Sequence, residues 1–248
     1  MEWFGEQPRT AVVTGGASGI GKATCELLCR DGYRVVVADR DVDGANAVAQ
    51  HIDGHAVKVD VTDEASVAAL FDEALRYFGG TLDALATPAG IADVTPFMEI
   101  DVATFRRVHD VNVLGTFLCV REAAKRMREG GRICTVASVA GKRGGGLSGT
   151  AAYAASKGAV LALSRNAARE LAPRGIVVNC VAPGPTLTPM LDEPFADAQR
   201  RARVESGILL QRAAEAAEIA EAIVWLLSPR ASYVVGETLT ADGGLMLD

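Results

Sequence analysis

The stretch AVVTGGASGIGKATCELLCRDGYRVVVAD, Ala11 to Asp39, decides the fold. An apolar run leads into a glycine-rich turn, a helical pattern follows, and a second apolar run ends on a carboxylate. Ala23, Leu27 and Leu28 recur at helical spacing, and Gly32 marks the stop. Strand, turn, helix and strand in so short a span describe the first half of a βαβ alternation.

The alternation continues outward. HAVKVDVTD reads as a third strand, with Thr62 or Asp63 to cap the next helix. That helix, EASVAALFDEALRYFGG, carries Val67, Leu70, Phe71, Ala74, Leu75 and Phe78 on one stripe. LDALATPAG is a fourth strand, and a long helix is expected around Ala103 to Glu129. GRICTVAS is the fifth strand, the helix bearing Tyr153 runs to about Ala172, and GIVVNCVAPG is the sixth. A polar, proline-containing stretch from Pro185 to about Leu210 precedes the helical AAEIAEAIVWLLS and a last strand in GETLTADGG. Near-continuous apolar strands separated by helices imply a doubly wound α/β sheet, parallel and covered on both faces. No linker divides the chain, so residues 1–248 are expected to form one domain.

Composition narrows the function classes. Hydrophobic residues make up 49% of the 248, enough for a large core. A net charge of −6 without a basic tract argues against a nucleic-acid or anionic-membrane surface. No apolar run reaches a membrane span, and MEWFGEQPRT has no signal-peptide core, so a soluble cytoplasmic protein is expected. The five cysteines are odd in number and widely spaced, and the three histidines are scattered. Neither a disulfide framework nor a metal set is expected.

The turn after the first strand reads T-G-x-x-x-G-x-G. Gly15, Gly19 and Gly21 suit tight turning and close backbone approach. Ser18 and Ile20 lie where the helix N-terminus offers free N–H groups to a pyrophosphate. Asp39 ends the second strand, where a carboxylate can accept bonds from both adenosine ribose hydroxyls. It would repel a 2′-phosphate by about 4 kcal/mol per unit charge pair at about 4 Å and a dielectric near 20, before screening. NAD is therefore expected over NADP, with the adjacent Arg40 tempering the preference. Asp60, read as the end of the third strand, and the N–H of Val61 are placed at the adenine.

Tyr153 and Lys157, in TAAYAASKGAV, stand four residues apart and so share one helix face. A phenol near its ordinary pKa of about 10 is a poor base at neutral pH, and lowering it by about three units needs on the order of 4 kcal/mol. Lys157, together with the cation of an oxidised nicotinamide, is expected to supply that and let Tyr153 exchange a proton with an alcohol or ketone oxygen. Ser138, at the C-terminal end of the fifth strand, can bond the same oxygen. Asn112, among apolar neighbours in the long helix, needs partners and is expected to hold a water that relays protons from Lys157.

With these residues in this order, the chain resembles the short-chain dehydrogenase/reductase family over essentially its whole length. The resemblance rests on TGGASGIG, Asp39, the DV at Asp60, Asn112, Ser138, YAASK and the APG ending in Pro183 and Gly184. It implies a Rossmann-type seven-stranded parallel sheet, a nicotinamide cofactor and the tetrad Asn112, Ser138, Tyr153 and Lys157, with Lys157 also on the nicotinamide ribose. It further implies that Thr186 and Thr188 lie beside the cofactor, that residues around 186–210 form a substrate lid, and that the chain is a homotetramer with ADGGLMLD at an interface.

Two departures stand out. The family's Asn-Asn-Ala-Gly is TPAG here, Thr87 to Gly90, which alters a hydrogen-bonding corner while Ala89 and Gly90 keep the close approach to the adenosine. The segment between Ser138 and Tyr153 is about two residues longer than the family's, in KRGGGLSGT, expected as a flexible rim. The reading is therefore a NAD-dependent oxidoreductase acting on a secondary alcohol or its ketone, with a modest apolar, hydroxyacyl or cyclic substrate. Its rival is a non-catalytic NAD-binding sensor or scaffold, supported only by the altered corner.

Overall fold

The computed structural model describes residues 8–145 and 150–247, so the first seven residues and the middle of the expected glycine-rich rim, 146–149, lie outside the described residues. Along the chain run β1 (Thr10–Thr14), α1 (Gly19–Arg30), β2 (Arg34–Asp39), α2 (Val42–His51), β3 (His55–Lys58), α3 (Glu64–Phe78) and β4 (Ala84–Thr87). They are followed by α4 (Val102–His109), α5 (Gly115–Arg126), β5 (Arg132–Val136), α6 (Val139–Arg143), α7 (Ala151–Leu171) and β6 (Val177–Pro183). The last part holds β7 (Thr186–Leu187), α8 (Pro189–Phe195), α9 (Ala198–Glu205), β8 (Ala214–Glu215), α10 (Ala216–Leu227) and β9 (Thr238–Ala241).

Seven strands form one sheet in the order β3-β2-β1-β4-β5-β6-β9, every neighbouring pair parallel. The chain winds outward from β1 to β3, then returns to β4 and winds the other way. The order therefore reverses between β1 and β4, and a crevice opens beyond their C-terminal ends. Alternate strand residues serve opposite faces. Ala11, Val13, Val35 and Val37 pack with Leu28 of α1 and Ile219 and Ile223 of α10. Val12, Val36, Leu85 and Ile133 pack with Leu70 and Phe71 of α3 and Leu118 of α5. Burial on both faces is why these strands read as unbroken apolar runs.

Several expectations need correction. The helix expected over 103–129 is interrupted: Asp110–Leu114 is one π-helical turn between α4 and α5, and α5 ends at Arg126. β3 ends at Lys58, so Asp60 lies in the turn beyond it. Of the two expected caps, Asp63 holds the N–H groups of Ala65 and Ser66, while Thr62 turns its hydroxyl to Asp60. The rim expected as loop begins as helix α6, and the expected lid carries α8 and α9. The α2 helix was not anticipated; Ala45, Val48 and Ala49 are its buried residues, a thin apolar face.

Thr87 closes β4 at the altered corner. Its hydroxyl and that of Thr14 on neighbouring β1 are buried and find no partner among the described residues. An unpaired buried hydroxyl costs about 1–3 kcal/mol. Thr87→Val keeps the shape and removes the unsatisfied group. It is expected to raise the melting temperature by about 2–4 °C per kcal/mol recovered. A lower melting temperature in a thermal scan would show that the hydroxyl is held in place by a bond that matters.

Candidate active site

The crevice at the strand-order reversal holds a cleft of about 350 Å³. All the expected site residues except Asn112 line it. At one end lies the glycine turn. Gly15 and Gly19 adopt positive φ, 67° and 50°, and a Cβ on Gly21 would fall 1.9 Å from the carbonyl oxygen of Gly15. The first two positions need the conformation; the third needs the space. Ser18, the N-cap of α1, makes no side-chain cap bond, so the first-turn N–H groups of this 12-residue helix face the cleft without a side-chain acceptor. Ile20 lines the same end, and Thr188 packs on Gly19.

Asp39 is fixed by two backbone donors, Ala17 N–H at 3.0 Å on one oxygen and Asp41 N–H at 2.9 Å on the other. Each oxygen keeps acceptor capacity towards the cleft. Asp60 sits below the ordinary carboxylate range, first because Thr62 donates both its hydroxyl and its N–H, with Arg40 adding attraction. Arg40 and Val61 also line this end, and Ala89, Gly90, Pro183, Gly184 and Thr186 line the floor and far wall. This set fits a dinucleotide: backbone donors for phosphates, a fixed carboxylate for a ribose, and glycines where a side chain would block approach.

The chemical end is built on β5, α6 and α7. Ser138 follows β5 and caps α6, its Oγ accepting from the N–H of Ala140 at 3.1 Å. Gly141 in the next turn lies so close to α7 that a Cβ there would meet the Lys157 carbonyl carbon and the Gly158 nitrogen at 2.6 Å. That contact fixes α6 against the helix bearing Tyr153, and Ser138 and Tyr153 both line the cleft, the serine hydroxyl acting to lower the phenol. Lys157 is buried, its Nζ donating to the Val136 carbonyl at 2.9 Å and standing 5.8 Å from the centroid of the Tyr153 ring.

Electrostatics here differ from the expectation. Burial pushes the Tyr153 phenol above its ordinary value, and the Ser138 hydroxyl only offsets part of this. Burial also brings Lys157 down from 10.5 to about 8, with Cys180 opposing slightly. The chain's own groups therefore do not lower the phenol, because desolvation outweighs the effect of the Ser138 hydroxyl.

Asn112 lies in the π-helical turn, fully buried. Its Oδ1 accepts from the Ile91 N–H at 2.9 Å, and Nδ2 donates to the Ile91 carbonyl at 3.0 Å and the Ser156 hydroxyl at 2.9 Å. Both amide hydrogens are occupied. The amide thus forms a clamp joining the segment after β4 to α7. Gly90 fits beneath it: a Cβ there would lie 3.1 Å from Asn112 Oδ1 and 3.3 Å from Lys157 Nζ. Ser156 and Ile91 were missed in the sequence, although Ser156 sits three residues after Tyr153, at a spacing that returns to its face.

Fold and cleft together define a dinucleotide-binding α/β protein. A family model described as "Enoyl-(Acyl carrier protein) reductase" matches residues 15–246. The chain is 44% identical over 244 residues to a cis-4-hydroxycyclohexanecarboxylate dehydrogenase of Sinomonas cyclohexanicum, covering 95% of this chain and 96% of that one. It is 41% identical over 243 residues to a 2,5-dichloro-2,5-cyclohexadiene-1,4-diol dehydrogenase of Sphingobium indicum, covering 95% and 96%. A solved short-chain dehydrogenase/reductase from Brucella melitensis, described as a glucose/ribitol dehydrogenase, superimposes with a TM-score of 0.91 at 34% identity, covering 97% of each chain. The chain belongs to the short-chain dehydrogenase/reductase family. It is an oxidoreductase of that family, whose members use a nicotinamide cofactor. Among the described residues no helix is long and apolar enough to cross a membrane, and no cluster of three metal-ligating side chains occurs.

The buried ammonium has a stability signature. Between about pH 8 and 10.5 the unfolded chain holds the Lys157 proton while the folded chain releases it. The unfolded state then binds more protons, so this group makes stability rise with pH across that window, by on the order of 3 kcal/mol. Lys157→Met is expected to flatten the rise, measured by urea unfolding at stepped pH. An unchanged slope would contradict a depressed Lys157.

Proposed function

We propose that the chain interconverts a cyclic secondary alcohol and its ketone with NAD. The observation that carries this is the convergence of Ser138, Tyr153 and Lys157 on one cleft, with the buried Lys157 Nζ 5.8 Å from the centroid of the Tyr153 ring. The names of the two relatives above, both dehydrogenases of six-membered-ring alcohols, support the ring as the substrate's shape. Apolar side chains at that end, Met190, Leu191, Phe195 and Leu245, suit a compact hydrocarbon body.

Gly15, Gly19 and Gly21 would hold the pyrophosphate against α1, and Asp39 the adenosine ribose. A nicotinamide bound there supplies the hydride acceptor in oxidation and the donor in reduction. Tyr153 takes the hydroxyl proton in oxidation and returns one in reduction. Ser138 orients the same oxygen while its own position is fixed by α6. Lys157, anchored by Val136 beside the phenol ring, would bond the nicotinamide ribose and favour the ionised phenol once a second positive charge enters the cleft. Asn112 keeps Gly90 and α7 in register beneath them.

The non-catalytic alternative gains nothing from the corner at Thr87, since Ala89 and Gly90 still line the cleft. We also take the chain to work as a cytoplasmic homotetramer. Exposed large apolar side chains, among them Phe97, Met98, Phe105, Phe117, Leu209, Leu210, Tyr233 and Leu247, support assembly.

Tyr153→Phe is expected to cut turnover of cyclic alcohols by about 10²–10⁴-fold while NAD still binds. Titration calorimetry and initial rates check both halves, and a fully active variant would end the proposal. Asp39→Ser is expected to narrow the preference for NAD over NADP by about tenfold or more. A ratio of kcat/KM values unmoved by that change would place cofactor choice elsewhere.

A further inference from the structure

The charges along the cleft are divided. Among the described lining residues, both acids, Asp39 and Asp60, lie at the adenosine end, where Arg40 accompanies them. The chemical end carries two cations, Lys157 and Arg143, and no acid among those residues. Lys157 is buried and bonded to Val136. Arg143 is exposed at the mouth, and no ion pair or hydrogen bond engages its guanidinium among the described residues.

Lys142 beside it in the sequence and Arg201 of α9 behave differently. Lys142 directs its Nζ to the Thr240 hydroxyl at 2.7 Å, on β9. Arg201 pairs with Glu205 at 3.0 Å and lies over the Phe195 ring. The helix bearing Arg143 is also anchored. Ser138 caps its start, Gly141 is locked on α7, and Gly144 ends it at φ 79°. Arg143 thus stands five residues, about 7.5 Å of helix rise, from Ser138. The apolar side chains Met190, Leu191, Phe195 and Leu245 line the same cleft as this fork-shaped cation.

We propose that Arg143 is a specificity-determining residue that pairs with a carboxylate on the substrate, placed across the ring from the reacting hydroxyl. This rests on the dehydrogenase reading above and adds the substrate's charge. Two N–H groups of the guanidinium match two carboxylate oxygens. A neutral alcohol of the same size meets the apolar side chains and leaves the guanidinium in water. The carboxylate reduces the substrate's freedom to turn over in an apolar pocket, so it presents one face of the carbinol carbon.

The test compares 4-hydroxycyclohexanecarboxylate with 4-methylcyclohexanol, and adds calorimetric binding of cyclohexanecarboxylate, which has no hydroxyl to react. Wild type should favour the acid in kcat/KM. Arg143→Gln should lower the acid-to-neutral ratio by about tenfold, mostly through KM, and weaken cyclohexanecarboxylate binding alike, as expected for a solvent-screened charge pair. Arg143→Lys should restore part of both, and Lys142→Gln should leave the ratio at the wild-type value. If the neutral alcohol turns over and Arg143→Gln leaves ratio and binding unchanged, the inference fails and the dehydrogenase reading stands. If neither alcohol reacts yet the carboxylate binds through Arg143, the anion site stands and the reaction reading fails. If neither reacts and the carboxylate does not bind, both fall.

Discussion

A buried ammonium held by one backbone carbonyl is the constraint around which the cleft is arranged. Lys157 reaches from α7 to Val136 at the end of β5, and so ties the helix that carries Tyr153 to the strand that delivers Ser138. Gly90 leaves room for it, and the Asn112 clamp holds Gly90's segment against α7 through Ile91 and Ser156. Removing the amine from water costs folding energy at neutral pH. That cost places a cation within reach of the phenol without solvent to screen it.

The cleft then works as two electrostatic regions. The adenosine end has fixed acceptors and backbone donors, suited to hydroxyls and phosphates. The chemical end has hydroxyls, an ammonium and hydrocarbon, suited to a carbon–oxygen centre. Burial raises the phenol and brings the ammonium down to about 8, so it is the phenol that the chain's own groups leave far from neutral pH. Under the proposed function, an oxidised nicotinamide in the cleft would add the positive charge that favours the ionised phenol.

Much of this was legible in the sequence. The strands announced themselves because both sheet faces are covered, leaving apolar runs between glycine and aspartate turns. Gly15, Gly19, Gly21 and Asp39 could be placed because backbone approach and a strand-end carboxylate restrict residue type at fixed spacing. Tyr153 and Lys157 share a face by helical geometry alone. Other features had no such signal. The π-helical turn at Asp110–Leu114 adds one residue within a helical pattern and leaves the composition unchanged. The partners of Asn112 come from two distant segments, 21 and 44 residues along the chain, so its clamp could not be told from a water site. α6 hid in a glycine-rich run because its stability comes from contact with α7, not from its own propensity. The phenol's raised pKa was missed because spacing reports neighbours and not the depth of burial.

The most direct measurement is the titration of the Tyr153 phenol itself, by NMR of the protein labelled at the tyrosine ring carbon, with and without oxidised NAD. The account predicts a pKa above the ordinary phenol value of 10 in the protein alone, and one below it in the binary complex. A Tyr153 that titrates at the same pH in both states would contradict it.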